Sequence, residues 1–403
     1  MRYKVFLASI LPIVSCALFA QSATDILKRS YEKCQAVQSG HYEMDYYIKF
    51  MTGKDTMKNS FDCYFRKSKD DSLYSSVFHY KKYIKNELTG EVLYSGNDFI
   101  TTNARDSTAI IMSKTMWADD IKSFSHNYTF YSPLTSLKSS PLPHDSDYLD
   151  NKHNFKFIGE EYINNTLCYR IQENKTLEND ANDPIQLLRN ELHFWITKKD
   201  LIPVQYSQAY DFVMNKDTMY QYEKFVLNKY DINSSIPENI FTLGSIPSYY
   251  KMKDYSPYQK PDPLPLDTIA PPWELGSLTG EKVSLQNLKG KLVLIDFFYK
   301  SCYPCMLALP GLQSLHEKYK NKGLKIIGID PYDKEEDDIS SFLKKRGVTY
   351  TVLLEGGETA KNYRVSGYPT LFLIDRNGKI VFIQEGYGDE TDKKLEEIIL
   401  KYL

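Results

Sequence analysis

The sequence predicts two domains of different class. The first is a helix followed by a large curved antiparallel β-sheet. The second is an α/β domain whose central sheet carries helices on both faces. Three observations predict this. Period-two alternation dominates residues 24 to about 245. Seven prolines, at 247, 257, 261, 263, 265, 271 and 272, then mark an extended connector. Beyond it, continuous apolar strands alternate with helical segments. The expected boundaries are 1–22 for a leader, 23–246 for the β-rich domain, 247–268 for the linker and 269–403 for the α/β domain.

A chain of 403 residues has room for two or three domains. A hydrophobic fraction of 42% with 25% charged residues is ordinary globular composition. The formal net charge of −2 gives no reason to expect a nucleic-acid partner or strong attraction to anionic lipid. Abundant tyrosine suits half-buried strand faces.

The chain opens "MRYKVFLASILPIVSCALFAQSATD". Arg2 and Lys4 precede an apolar run from Val5 to Ala20, and small residues at Ala20-Gln21-Ser22 offer a cleavage site. That is the pattern of a secretory signal peptide. The run is shorter than the roughly 20 residues a membrane span needs, and Pro12 interrupts it. The expected location is therefore outside the cytoplasm, the bacterial periplasm on this pattern. Lipid attachment at Cys16 is the alternative and the one expected route to a membrane. Either compartment permits disulfide chemistry.

Residues 24–38 read as an amphipathic helix capped by Thr24 or Asp25 and ended by Gly40. In "HYEMDYYIKFM", Tyr42, Met44, Tyr46, Ile48 and Phe50 point one way, and Glu43, Asp45 and Lys49 the other. "LCYRIQE" repeats the alternation. "LHFWITKKDLIPVQYSQAY" reads as two strands around a turn at Lys198 to Asp200, and "DTMYQYEKFVLNKYDIN" as another strand.

In the second domain a hairpin is expected around Thr279-Gly280. "KLVLIDFFY" and "LKIIGID" are apolar enough to be buried on both faces. "MLALPGLQSLHEKYKNKG" reads as a helix ended by Gly323. "KEEDDISSFLKKRG" reads as one helix with acids first and bases last, as the helix dipole favours. A short strand "YTVLL", a short helix "TAKNYRV", a hairpin turning at Asn377-Gly378 and a last helix "DKKLEEIILKYL" follow.

Chemistry concentrates at "DFFYKSCYPCMLALP", residues 296 to 310. Cys302 and Cys305 sit two residues apart where a buried strand turns into a helix. Unpaired N–H groups and the dipole at a helix start favour an anion, and a thiolate is one. Its free pKa of about 8.5 falls by roughly one to five units in such places. Cys302 is then the nucleophile and Cys305 the resolving thiol. Asp296, among Leu294, Ile295, Phe297 and Phe298, is a dry carboxylate suited to exchange protons with Cys305. A structural zinc site needs about four ligands, and no second cysteine pair exists. Peroxide reduction asks for a threonine where Tyr299 stands. No metal and no cofactor are expected. Cys34, Cys63 and Cys168 are single; buried free thiols are the plain reading, and a bridge among them stays open. His153 and His193 are single strand histidines, more often structural than catalytic.

"IDFFYKSCYPC", Pro310 and "SGYPTLFLID" carry a resemblance over 262–403 to the thioredoxin-like fold, most closely the secreted TlpA/ResA-type thiol–disulfide oxidoreductases of the AhpC/TSA-redoxin superfamily. The resemblance implies that Asp296 is the family's buried acid. It also implies that Tyr368–Pro369 is cis and packs beside Cys302. Backbone there would pair with a substrate strand, and Tyr368, Tyr303 and Pro304 would meet the substrate. Ser301 stands where the family has tryptophan, and Ala308 where many members have an acid. With Tyr303 and Pro304 between the cysteines, no histidine steadies the thiolate, which leans the reading to a reductase or isomerase of protein disulfides. Its partners would be disulfide-bearing clients and an upstream electron donor. The first half more distantly resembles lipoprotein-carrier (LolA-like) half-barrels, with "HFWITKKDLIPV" the best local cue. Two other readings are a lipid- or protein-binding carrier with a vestigial redox domain, and an interaction scaffold.

Overall fold

The computed structural model describes residues 13–51, 53, 55–124, 131–135, 142, 153–177, 179, 185–214, 217–388 and 390–403. Arg2, Lys4 and the start of the apolar leader lie outside the described residues. No described helix is long and apolar enough to cross a membrane. The chain divides into two compact units, residues 1–256 and 257–403.

In the first unit α1 (Ile13–Ala36) precedes a run of hairpins: β1 (Ser39–Lys49), β2 (Met57–Lys67), β3 (Ser76–Ile84), β4 (Glu87–Tyr94), β5 (Asp98–Asn103) and β6 (Thr108–Ser113). After α2 (Lys114–Phe124) and the single turn α3 (Ser132–Thr135), a second run follows. It comprises β7 (His153–Ile163), β8 (Thr166–Lys175), β9 (Ile185–Thr197), β10 (Pro203–Met214) and β11 (Asp217–Ile232). Pairing of β11 with β1 joins the two runs into one sheet. With β12 (Lys251–Asp254) at its edge, the sheet has twelve strands in the order β12-β6-β5-β4-β3-β2-β1-β11-β10-β9-β8-β7. Among the described residues of this sheet only β12 pairs in parallel, with β6.

Local chemistry accounts for the turns. Lys85 and Asn86 between β3 and β4, and Asn164 and Asn165 between β7 and β8, all take positive φ. That conformation matches the twist of the flanking strands, and asparagine tolerates it. Tyr42, Met44, Tyr46 and Ile48 are buried in one core with Ile26 and Leu27 of α1 and with Phe65, Phe78, Phe194 and Ile196 from across the sheet.

Three expectations are corrected here. The helix begins at Ile13, so Thr24 and Asp25 lie inside it, and it ends at Ala36 rather than at Gly40. Nothing between residues 13 and 36 is proline or glycine, so nothing local stops it. Phe50 is 46% exposed because β1 ends one residue earlier. The proline-rich connector, expected to be extended, is also tied down near each end. Lys251–Asp254 adds a strand to the first sheet, while the amides of Asp267 and Ala270 reach the carbonyls of Ile380 and Gly378 at 2.8 and 2.9 Å. Finally, "KEEDDISSFLKKRG" is not one helix. A 3₁₀ turn over Glu335–Asp337 is separated from α5 (Ile339–Lys345) by Asp338 at φ 61°. The left-handed residue breaks the helical path, so the acids precede α5 rather than open it.

The second unit contains the small hairpin β13 (Glu274–Gly276) and β14 (Lys282–Ser284), then β15 (Leu292–Phe297), α4 (Tyr303–Tyr319), β16 (Leu324–Ile329), α5, β17 (Thr351–Leu353), α6 (Gly357–Asn362), β18 (Thr370–Ile374), β19 (Ile380–Glu385) and α7 (Thr391–Tyr402). Its five-stranded sheet runs β17-β16-β15-β18-β19. β15, β16 and β17 are parallel, and β18 and β19 return antiparallel. Alternation divides β15 between two faces. Val293, Ile295 and Phe297 share a core with Tyr363, Phe372 and Ile380. Asp296 takes the opposite face.

Candidate active site

β15 ends at Phe297 and α4 begins at Tyr303, with Cys302 as its N-cap in an extended conformation (φ −84°, ψ 106°). Pro304 falls in the first turn, where a missing N–H costs nothing. Cys302 and Cys305 are joined as a disulfide with Cα atoms 5.2 Å apart. The amide of Cys305 donates to Cys302 Sγ at 3.2 Å. The pair is asymmetric: Cys302 keeps 4% of its surface exposed and Cys305 none.

Asp296 is fully buried, and neither carboxylate oxygen has a hydrogen-bond partner among the described residues. Burial, and then the charge of Asp330, push its pKa up to about 8. Its negative charge also raises that of the buried Tyr350, after burial itself. Tyr350 packs edge-on to His316 of α4, with ring centroids 6.0 Å apart. Asp296 therefore lies on the face of the sheet that α4 covers.

Asp330, just past β16, is buried as well. Its Oδ1 accepts the amides of Tyr332 and Asp333, both at 2.9 Å. Asp333 in turn accepts the amide of Lys300, two residues before Cys302, at 2.5 Å. Burial, then the neighbouring Asp333 carboxylate, push Asp330 up to about 7 against those amides.

The Tyr368–Pro369 peptide is cis, and Pro369 is buried. Tyr368 is half-buried within a three-ring cluster. Tyr299, Tyr332 and Tyr368 meet edge to face with centroids 5.3 to 5.5 Å apart. Tyr332 is 63% exposed and Tyr303, between the cysteines, 39%.

Asp330, Asp333, Tyr299 and Tyr332 escaped the sequence reading as site residues. A signal for Asp330 was present, since "LVLID" and "LKIIGID" both set an acid at or near the end of an apolar run. Tyr299 was weighed only as a missing threonine. Nothing in local sequence marks Tyr332.

Other candidates carry structure. His153 pairs with Glu173 at 2.6 Å and His193 with Glu191. Cys34, Cys63 and Cys168 are buried free thiols whose pKa burial raises to about 12, 12 and 11. Among the described residues no three metal-ligating side chains gather. A cavity of about 400 Å³ lined by Pro261, Leu264, Tyr363, Phe372 and Phe382 includes neither Cys302 nor Cys305.

A parallel-to-antiparallel sheet, a helix headed by a disulfide two residues wide, and a cis-proline loop together define a thioredoxin-like thiol–disulfide exchange domain. The AhpC/TSA family model matches residues 266–383, wholly within the second unit. The thiol-disulfide oxidoreductase ResA of Bacillus cereus is 36% identical over 145 residues, which are 36% of this chain and 82% of that protein. The thioredoxin-like protein YneN of Bacillus subtilis is 32% identical over 130 residues, 32% of this chain and 75% of that protein. The crystal structure of the thioredoxin domain of a thiol-disulfide oxidoreductase from Bacteroides vulgatus matches at 28% identity and a TM-score of 0.31, over 34% of this chain and 99% of that one. The chain belongs to the ResA-type family of thiol–disulfide oxidoreductases.

Proposed function

We propose that this protein is an exported reductase or isomerase of protein disulfides, with Cys302 as nucleophile, Cys305 as resolving thiol and Asp296 as proton acceptor. The observation that carries this is the Cys302–Cys305 disulfide at the head of α4, with the less deeply buried cysteine first. The Cys302 thiolate attacks a client disulfide. One client sulfur leaves and takes a proton, and a mixed disulfide remains. Cys305 gives its proton to the ionised fraction of Asp296 and attacks Cys302 Sγ. The second client sulfur leaves as a thiol. Two electrons have passed to the client, and an upstream dithiol restores the enzyme.

On this reading Tyr303, Pro304, Tyr368 and Pro369 meet the client strand, and Tyr299 and Tyr332 extend that surface. The first unit is read as a half-barrel that docks a client or partner. Its likeness to carrier half-barrels rests on sequence pattern, with "HFWITKKDLIPV" the best local cue. Residues 1–22 act as a cleaved export signal, or Cys16 as a lipid anchor. Residues 23–246 and 269–403 are the working domains, joined by 247–268.

Insulin reduction tests the core of the reading. Cys302→Ser should abolish turnover, and Cys305→Ser should accumulate a mixed disulfide with insulin through Cys302. A Cys305→Ser protein that forms no such adduct overturns the assignment.

A further inference from the structure

Two acids emerge from neighbouring parallel strands on one buried face. Asp296 lies opposite Gly328 in the β15–β16 register. Asp330 follows Gly328 by two residues, so alternation turns it to the same side. Gly328 itself places no side chain there. A methyl group at that position would meet Phe298 Cε1 at 2.9 Å and Val352 Cγ2 at 3.1 Å. Both acids are fully buried. Both oxygens of Asp296 and Oδ2 of Asp330 have no hydrogen-bond partner among the described residues. Where no solvent screens them, ionising one carboxylate on this face disfavours ionising the other.

We propose that Asp330 is a positioning residue for the exchange reaction: with Asp296 it forms a carboxylate pair holding one proton, and so governs when Asp296 is free to take the proton of Cys305. The proposal rests on the reading of Asp296 as that acceptor. Asp330 also provides the pair's connection outward. Its carboxyl meets Asp333, which accepts the Lys300 amide at the approach to Cys302.

The surroundings leave Asp330 as the neighbour that changes charge in the neutral range. Asp296 faces Tyr350, ahead of β17, and Tyr387, ahead of α7. Both tyrosines are pushed above their ordinary value by burial and stay neutral. Asp330 faces Asp333 and Tyr332 on its own loop, Tyr368 from the cis-proline loop, and Lys300 through Asp333.

The test uses the full chain with ¹³C-labelled aspartate. The carboxyl signal of Asp296, identified by its loss in Asp296→Asn, is followed with pH in the wild type and in Asp330→Asn. Asparagine keeps the oxygen that accepts the Tyr332 and Asp333 amides, so the loop is retained. Asp330→Ser, whose hydroxyl also accepts, is the second variant. In parallel, Cys302 is loaded with thionitrobenzoate and its release by Cys305 is timed across the same pH range. Both variants should lower the Asp296 midpoint by about one pH unit, the size of one buried like-charge interaction. The release profile should move with it. An unchanged midpoint in both variants overturns the carboxylate pair. A release profile in Asp296→Asn identical to wild type overturns instead the acceptor role of Asp296.

Discussion

The backbone N–H of Cys305 donates to the Sγ of Cys302 at 3.2 Å, so the first sulfur caps the helix that holds the second. On reduction the same amide faces a thiolate, and the helix dipole adds to the attraction. The reduced protein should therefore be alkylated at Cys302 with a pH midpoint well below the free value. Iodoacetamide kinetics across pH, with Cys302→Ser as blank, measure it. A midpoint at or above about 8.5 contradicts the capping argument.

The three buried thiols of the first unit should behave in the opposite way. Burial raises Cys34, Cys63 and Cys168 to about 12, 12 and 11, so thiolate is scarce and access is closed. Mass spectrometry of the native reduced protein should find label on Cys302 and none on these three until denaturant is added.

Asp296 makes stability depend on pH. Its folded pKa of about 8 lies above the unfolded value near 3.9, so folding takes up a proton between these limits. Stability therefore falls as pH rises from about 4 to about 8. The ionised form at the upper end is disfavoured by several kcal/mol, as an order of magnitude. Asp296→Asn should be more stable than wild type at both pH values, by a much larger margin at pH 8 than at pH 5. Urea midpoints at the two pH values check this, and equal differences at both would contradict it.

Tyr332 is exposed, with its ring set edge-on to Tyr299 and Tyr368. An aromatic platform of this kind gains from burial under a polypeptide and little from a small disulfide. Tyr332→Ala should raise KM for a protein client by about three- to tenfold with kcat held. Turnover of glutathione disulfide should be unchanged. Equal losses on both substrates would place Tyr332 in the chemistry instead.

Gly356 guards the end of β16. A methyl group there would lie 2.2 Å from Ile329 Cγ2, which is fully buried, while its amide holds the Asp330 carbonyl at 2.9 Å. Gly356→Ala should destabilise the second unit by about 1–3 kcal/mol through overpacking. A thermal or urea transition reports it.

Much of this was legible in local sequence. "KLVLIDFFY" is too apolar for anything but a strand buried on both faces, and β15 is that strand. The turn at Asn377-Gly378 follows from Gly378 at φ 84° between β18 and β19. Other features were not legible. Of the strands β2 to β7, none was placed individually, because mixed polar and aromatic runs take their pairing from neighbours. The break at Asp338 opposed a helix-dipole pattern that read as one continuous helix. Tyr332 reached the site only because its loop passes beside Tyr299 and Tyr368.

By itself the sequence determined the elements whose information is local. These are the two-residue cysteine spacing at a strand–helix junction, the dry strand that carries Asp296, and the alternation of the first sheet. Only the tertiary structure decided which distant groups share an environment. It set Asp330 on the same buried face as Asp296 across two parallel strands, gathered three tyrosines at the cis-proline loop, and joined β11 to β1. The reason is physical. Backbone preference and side-chain period act over a few residues, whereas charge repulsion and ring packing depend on distance in space, which strand register fixes only once the sheet has formed.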